Sequence, residues 1–185
     1  IHGSDKFSSI GNKKSAGTKL VCFDSFFNNP GVYEVDMCTP MKKIINEIGG
    51  GYKKPVKALQ IGGPLGGVVP VKEVEKLNLD FQEFIAAGFM LGHGSIICIP
   101  KDFSMVEYIH HLFEFSAEES CGKCFPGRLG SYRGKEMFDQ AINKSKKIPL
   151  KLLNELLITM KKGSLCALCG AIPVPIMNIL KYFSD

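Results

Sequence analysis

Four of the seven cysteines in this chain stand in two C-x-x-C pairs, Cys121-Gly-Lys-Cys124 and Cys166-Ala-Leu-Cys169. Two side chains three positions apart in a tight turn converge on one point, and thiolates select zinc or an iron-sulfur cluster over harder ions. Four thiolates satisfy either group, so the ligand type alone leaves zinc and iron-sulfur both open. The remaining three, Cys22, Cys38 and Cys98, lie in apolar, strand-like surroundings and read as inert buried thiols. An odd cysteine count without a secretion signal argues against a disulfide framework.

No other group of residues carries comparable chemistry. His110-His111 has no acidic or cysteine partner beside it in sequence and reads as exposed or interfacial. No Ser/His/Asp set or carboxylate pair has a recognisable context, so no catalytic residue is expected. The segment IGGPLGG lacks a Walker lysine and the G-x-G-x-x-G order of a phosphate cradle. Its glycines, Gly62, Gly63, Gly66 and Gly67, are expected to supply positive φ and close backbone packing.

The elements that must position the thiols can be read from periodicity. Residues 18–23 (TKLVCF) and 32–36 (VYEVD) alternate like strands about an Asn29-Pro30-Gly31 turn, which predicts a hairpin. Thr39 as cap and Pro40 at the first helical position then open a helix with Met41, Ile44, Ile45 and Ile48 on one face, closed by Gly49-Gly50-Gly51. Strands at 56–61 and 95–100 with a short helix near 81–87 complete a sheet that half wraps one helix, as in a β-grasp module. From Ser104 the period becomes helical, and after a loop at 121–130 helices are expected at 131–143, 149–161 and 174–183. The expected class is therefore α+β: a β-grasp (ubiquitin-like) domain at 18–102, then a small helical bundle at 103–185 that carries the cysteines near its helix starts.

With 185 residues, 45% of them hydrophobic, the chain can bury one moderate core or two small ones. The net charge of +5 comes from dispersed lysines that read as solvated faces, so no nucleic-acid partner is expected. No apolar run is long enough to span a membrane and no signal segment opens the chain, which points to a cytoplasmic protein, an organellar one, or one on the inner face of a membrane complex. The polar residues 1–17 begin at Ile1 rather than Met and are expected to be a linker with little to bury, leading out of an upstream domain.

The stretches ESCGKCFPGRLGSYRGKE from Glu119 and SLCALCGAIPVPIMNILKYF from Ser164 resemble the C-terminal part of the flavin-carrying, NADH-oxidising subunit of respiratory complex I. They look still closer to its relatives in NAD-reducing hydrogenases and NAD-dependent formate dehydrogenases. The likeness runs on through GTKLVCFDSFFNNPGVYEVDMCTPMKKIINEIGGG and LQIGGPLGG, the place of that family's soluble-ligand-binding β-grasp domain. It implies a 4Fe-4S cluster that passes electrons between FMN and a partner iron-sulfur protein, ferredoxin-like or thioredoxin-like. It also implies that FMN and NAD bind an upstream domain of the same protein, one that nothing in these residues resembles.

In that family the cluster is held by three cysteines in C-x-x-C-x-x-C and a fourth in a later S-L-C. This chain matches at Cys121, Cys124 and Cys166 and departs at Gly127, where the third cysteine belongs; Cys169 is an extra thiol where the family usually has glycine. Three readings follow: Cys169 replaces the absent ligand, a three-cysteine site holds an incomplete or externally completed cluster, or the site has lost iron and is empty or zinc-filled. The resemblance thus implies the ligand set Cys121, Cys124, Cys166 and Cys169, with Lys123, Arg128 and Arg133 offsetting the charge of a thiolate-bound cluster. The last reading corresponds to a binding or scaffold module with a degenerate cysteine site.

Overall fold

The computed structural model describes residues 3–183, and the chain divides at Lys101/Asp102 into two compact units. In the first, alternation along β1 (Thr18–Phe23) turns Val21 and Phe23 into the core and leaves Leu20 and Cys22 on the outer face. β1 pairs antiparallel with β2 (Gly31–Asp36), in register from Thr18↔Asp36 to Phe23↔Gly31, as the Asn-Pro-Gly turn predicts.

A short helix ahead of β1, α1 (Ser4–Ser8), belongs to this unit. The stretch it opens is mostly exposed, in keeping with its polar composition, yet it is tied down. Asn12 Nδ2 donates to Asp80 Oδ2 at 2.6 Å, and Ser15 is buried with its hydroxyl accepting from the Phe81 amide at 3.2 Å. Residues 1 and 2 of the expected linker lie outside the described residues.

After β2 the chain enters α2 (Met41–Lys43), which widens into a π-helical turn at Ile44–Ile48. Met41, Ile44 and Ile45 are fully buried, which is the apolar face expected from their spacing. The cap differs from expectation: Pro40 itself is the N-cap residue and no side chain closes the helix start, because Leu77 and Pro40 carbonyls take the first amides instead. Gly50 and Gly51, at φ 69° and 73°, end the turn.

β3 (Val56–Ile61) folds back on β4 (Gly67–Pro70) through the glycine loop, with Ile61↔Gly67 at the turn. Gly62 and Gly63 hold φ of 96° and 88°, and a side chain on Gly62 would strike the Leu91–Gly92 backbone. β4 escaped the sequence reading because four residues beside five loop positions carry no clear alternation. α3 (Val71–Val74) and α4 (Phe81–Ala86) follow, the latter N-capped by Asp80, whose carboxylate accepts from the Gln82 and Glu83 amides. β5 (Ser95–Pro100) then inserts between β1, with which it runs parallel, and β3. The sheet order β2-β1-β5-β3-β4, with the α2 turn buried against it, is the β-grasp arrangement.

The second unit is helical. α5 (Met105–Glu119) is capped by Ser104, whose Oγ accepts from the Glu107 amide at 3.3 Å. α6 (Phe125–Lys144), α7 (Leu150–Gly163), α8 (Ala167–Ala171) and α9 (Pro173–Tyr182) complete it. Phe113 of α5 and Phe138 of α6 meet with ring centroids 5.9 Å apart, and Leu112, Leu153, Leu157, Met160, Ile172 and Ile176 close the core. α6 starts at Phe125, six positions before its expected start. The residues FPGRLG read as loop, but proline is favoured in a first helical turn and Gly127, Gly130 and Gly134 form the buried face of the helix. A Cβ on Gly134 would overlap the Phe113 ring, so the close approach of α5 and α6 requires glycine there.

Candidate metal centre

The early start of α6 puts Cys124 at its N-cap, in extended backbone, with its carbonyl accepting the first helical bond from Arg128 N at 2.9 Å. Cys166 is the N-cap of α8, and Cys169 lies one turn on, inside that helix. Each C-x-x-C pair therefore sits at a loop-to-helix junction. The two junctions meet: a Cβ on Gly163 would lie 3.0 Å from the Pro126 ring, and the Leu165 amide hydrogen-bonds the Cys124 sulfur.

That amide, with the Gly127 amide, holds the Cys124 thiol below its ordinary pKa against a smaller opposing effect of desolvation. Both donors favour the thiolate, as does the positive end of α6. The Ser164 hydroxyl adds to the effect and, though its oxygen is buried, has no hydrogen-bond partner of normal geometry. Cys169 is 2% exposed, with its Sγ 3.6 Å from Ser116 Oγ. Cys124 and Cys169 come together around Gly127: a Cβ placed on that glycine would stand 3.0 Å from Cys124 Sγ and 3.2 Å from Cys169 Sγ. The sulfur of Cys169 thus fills space that a side chain at 127 would need.

Cys121 and Cys166 are exposed. Gly122, at φ 73°, bends the Cys121–Cys124 loop, and Arg128 Nη1 donates to its carbonyl at 3.0 Å. Among the described residues no three His, Cys, Asp or Glu side chains converge closely enough to hold a metal ion. Of the four sequence-predicted ligands, Cys124 and Cys169 are therefore brought together, and Cys121 and Cys166 do not converge on them. The donor set still fits an iron-sulfur cluster in kind: soft thiols, one with its pKa lowered by amide donors, and a buried hydroxyl without a partner of normal geometry alongside.

Sequence reasoning missed Ser116, which lies on α5 shortly before the first cysteine motif and carries no signal of its own. It also missed the partner of His110: Nε2 meets Asp139 Oδ1 at 2.7 Å, and Lys135 Nζ reaches both Asp139 and Glu114. The acid that sequence proximity did not supply comes from α6, and the group ties α5 to α6 rather than binding metal. Cys98 is buried, its thiol raised by burial and then by Asp24, whereas Cys38, expected to be buried in a strand, is half-buried beyond the end of β2 at φ 66°, its thiol raised by burial and then by Asp80. Cys22, expected among the buried thiols, is exposed on the outer sheet face.

Comparison with known proteins bears on the same residues. Residues 107–185 match the family described as the NADH-ubiquinone oxidoreductase-F iron-sulfur binding region. The HndC subunit of the NADP-reducing hydrogenase of Solidesulfovibrio fructosivorans is 34% identical over 188 residues, covering 100% of this chain and 38% of that protein. The F subunit of the NADH-quinone oxidoreductase of Rickettsia bellii is 32% identical over 187 residues, covering 99% and 45%. An NAD+-reducing [NiFe]-hydrogenase in the H2-reduced state shares the fold of the whole chain, with a TM-score of 0.87 at 22% identity over 31% of its own length. The chain spans about two fifths of the length of the curated relatives it matches.

Proposed function

We propose that the chain is part of an F-type subunit of the NADH-quinone oxidoreductase family, whose iron-sulfur binding region matches residues 107–185, and that it relays electrons between FMN and a partner iron-sulfur protein. Cys121, Cys124, Cys166 and Cys169 are the residues that would hold a 4Fe-4S cluster, which when bound supplies one-electron redox chemistry. FMN and NAD belong to a flavin domain of the same protein, and the partner is a ferredoxin-like or thioredoxin-like iron-sulfur protein. In a hydrogenase-type enzyme the electrons run toward the nicotinamide, in an NADH dehydrogenase away from it.

The observation that carries this reading is the pairing of Cys124 and Cys169 around Gly127. A thiol lost from the family pattern at one position is balanced by a thiol gained at the other, in the same space. The chain's own residues prepare the site: the Leu165 and Gly127 amides favour the Cys124 thiolate, and Arg128 fixes the loop that carries Cys121. Residues 18–102 serve as the family's soluble-ligand-binding module and 103–185 as the cluster-bearing one. No helix among the described residues is long and apolar enough to cross a membrane.

One observation favours a second reading, a scaffold module holding zinc or no metal: among the described residues no third thiol converges on the Cys124–Cys169 pair. Anaerobic reconstitution with iron and sulfide separates the two. Broad visible absorption with iron and sulfide in equal amounts, and a paramagnetic signal on reduction, is the expected result; zinc without sulfide would establish the scaffold instead.

A further inference from the structure

The fold pairs two cysteines that belong to different C-x-x-C motifs. The Leu165 amide, at the entrance to α8, donates to the Cys124 sulfur and so holds it toward the second motif. Cys169, buried inside α8, presents its sulfur to the same place: a Cβ on Gly127 would stand 3.0 Å from Cys124 Sγ and 3.2 Å from Cys169 Sγ. Because residue 127 is glycine, no side chain enters that place. The two motif partners do not share it, since Cys121 and Cys166 are exposed and, among the described residues, no third Cys, His, Asp or Glu converges with the pair.

Two sulfurs facing each other without a third match the needs of a disulfide, which joins side chains at close range and in one geometry. Cys124 is the half-buried member and stands at the N-cap in extended backbone, outside the turns of α6. It is the sulfur that a small reagent reaches first, while Cys169, at 2% exposure, is reached only through it.

We propose that Cys124 and Cys169 are a dithiol that closes to a disulfide in the cluster-free protein. The step is thiol–disulfide exchange with a low-molecular-weight disulfide such as oxidised glutathione. The Cys124 sulfur bonds to one sulfur of that reagent, whose own S–S bond breaks and releases one glutathione thiol. The Cys169 sulfur then bonds to Cys124 Sγ and displaces the second. The two protein thiols give up two electrons and two protons, which leave as the two glutathione thiols. Closure takes two sulfurs out of the ligand set at once, so the oxidised chain takes up no cluster until a dithiol reductant reopens it. That consequence rests on the relay reading above; the bond itself does not.

The test uses the full chain, reduced and metal-free under anaerobic conditions, with oxidised glutathione as the probe. Free thiols are counted during the titration, and the bonded cysteines are identified by mass mapping of peptides without reductant. The expected result is loss of two of the seven thiols, joined as Cys124 to Cys169, with no glutathione retained. Cys169→Ser should stop at a glutathione adduct on Cys124, read as added mass, whereas Cys121→Ser and Cys166→Ser should still close the same bond. Gly127→Ala, whose methyl would occupy the place the sulfurs share, should slow closure about tenfold or more. A bond within either motif in place of this one, glutathione persisting on Cys124 of the unaltered chain, or no loss of thiols overturns the proposal. Iron and sulfide uptake by the oxidised chain, with and without reductant, reads the consequence, and equal uptake in both overturns the gate. Failure of the reduced chain to take up a cluster would count against the relay reading and leave the disulfide standing.

Discussion

Exchange of the two residues that share one space is the sharpest perturbation of the site. In a Gly127→Cys variant the new Cβ stands 3.0 Å from Cys124 Sγ, 3.2 Å from Cys169 Sγ and 3.3 Å from Cys169 Cβ. Crowding of that kind in a packed interior costs about 1–3 kcal/mol, against a gain of about 0.5–1 kcal/mol for removing glycine from a helix. The single variant should therefore be less stable by up to about 2 kcal/mol. Cys169→Gly has the opposite fault, since it empties a site that is 2% exposed and puts glycine into α8. Combined, the two should relieve each other, with a favourable coupling of about 1–3 kcal/mol in a double-mutant cycle on metal-free protein. On the functional side, Cys169→Ser keeps shape and the contact with Ser116 at 3.6 Å, so lost iron would report the ligand rather than the fold. Cys169→Ser is expected to abolish reconstitution and the Gly127→Cys/Cys169→Gly exchange to retain it, with thermal unfolding and iron and sulfide content as readouts. If Cys169→Ser reconstitutes fully, or the two substitutions add without coupling, the argument that Cys169 replaces a residue at 127 is wrong.

Three further outcomes follow from features outside that exchange. Because amide donors hold the Cys124 thiol low while burial raises Cys38 and Cys98, alkylation near neutral pH should modify Cys124 well before those two, as mapped by mass spectrometry; labelling of Cys98 first would contradict this. Asp80→Ala removes a helix cap and the acceptor of Asn12, and should destabilise the first unit by about 2 kcal/mol in urea. Burial opposes the Asp80 charge, but the Glu83 and Gln82 amides, Asn12 and Cys38 hold its carboxyl below the ordinary range. Its contribution is thus complete above about pH 4 and fades as acid titrates the folded form, so the gap between variant and parent should close toward low pH. Gly134→Ala, whose methyl would overlap the Phe113 ring, should cost about 1–3 kcal/mol despite better helix propensity; a stabilised variant would mean that the ring moves freely aside.

Much of this was legible in the residues themselves. The hairpin from Thr18 to Asp36 and the buried Met41, Ile44 and Ile45 follow from simple periods, because each side chain there meets one core. The first turns of α6 were not legible, since Pro126, Gly127 and Gly130 read locally as loop and become helical only when Cys169 and Met160 fill the space above the two glycines. The thiols announced themselves by spacing, and the departure at Gly127 was visible against the family pattern. Its replacement by Cys169 was one of the readings open there, but that the two positions on different helices share one space is defined only by the packed fold. The Asp139 partner of His110 stayed hidden for the same reason.

The Asn12–Asp80 clasp joins positions 68 residues apart, and that separation sets an order of events. At a synthesis rate of about 5–20 residues per second, Asn12 leaves the ribosome about 3–14 s before its partner. During that interval β1, β2 and the α2 turn can pair, but the acceptor that anchors Asn12 does not yet exist. The earliest-made part of the unit is therefore among the last to settle, exposed meanwhile to proteases and chaperones. A substitution at Asn12 should show itself more strongly in the yield of newly made protein than in the stability of the finished one.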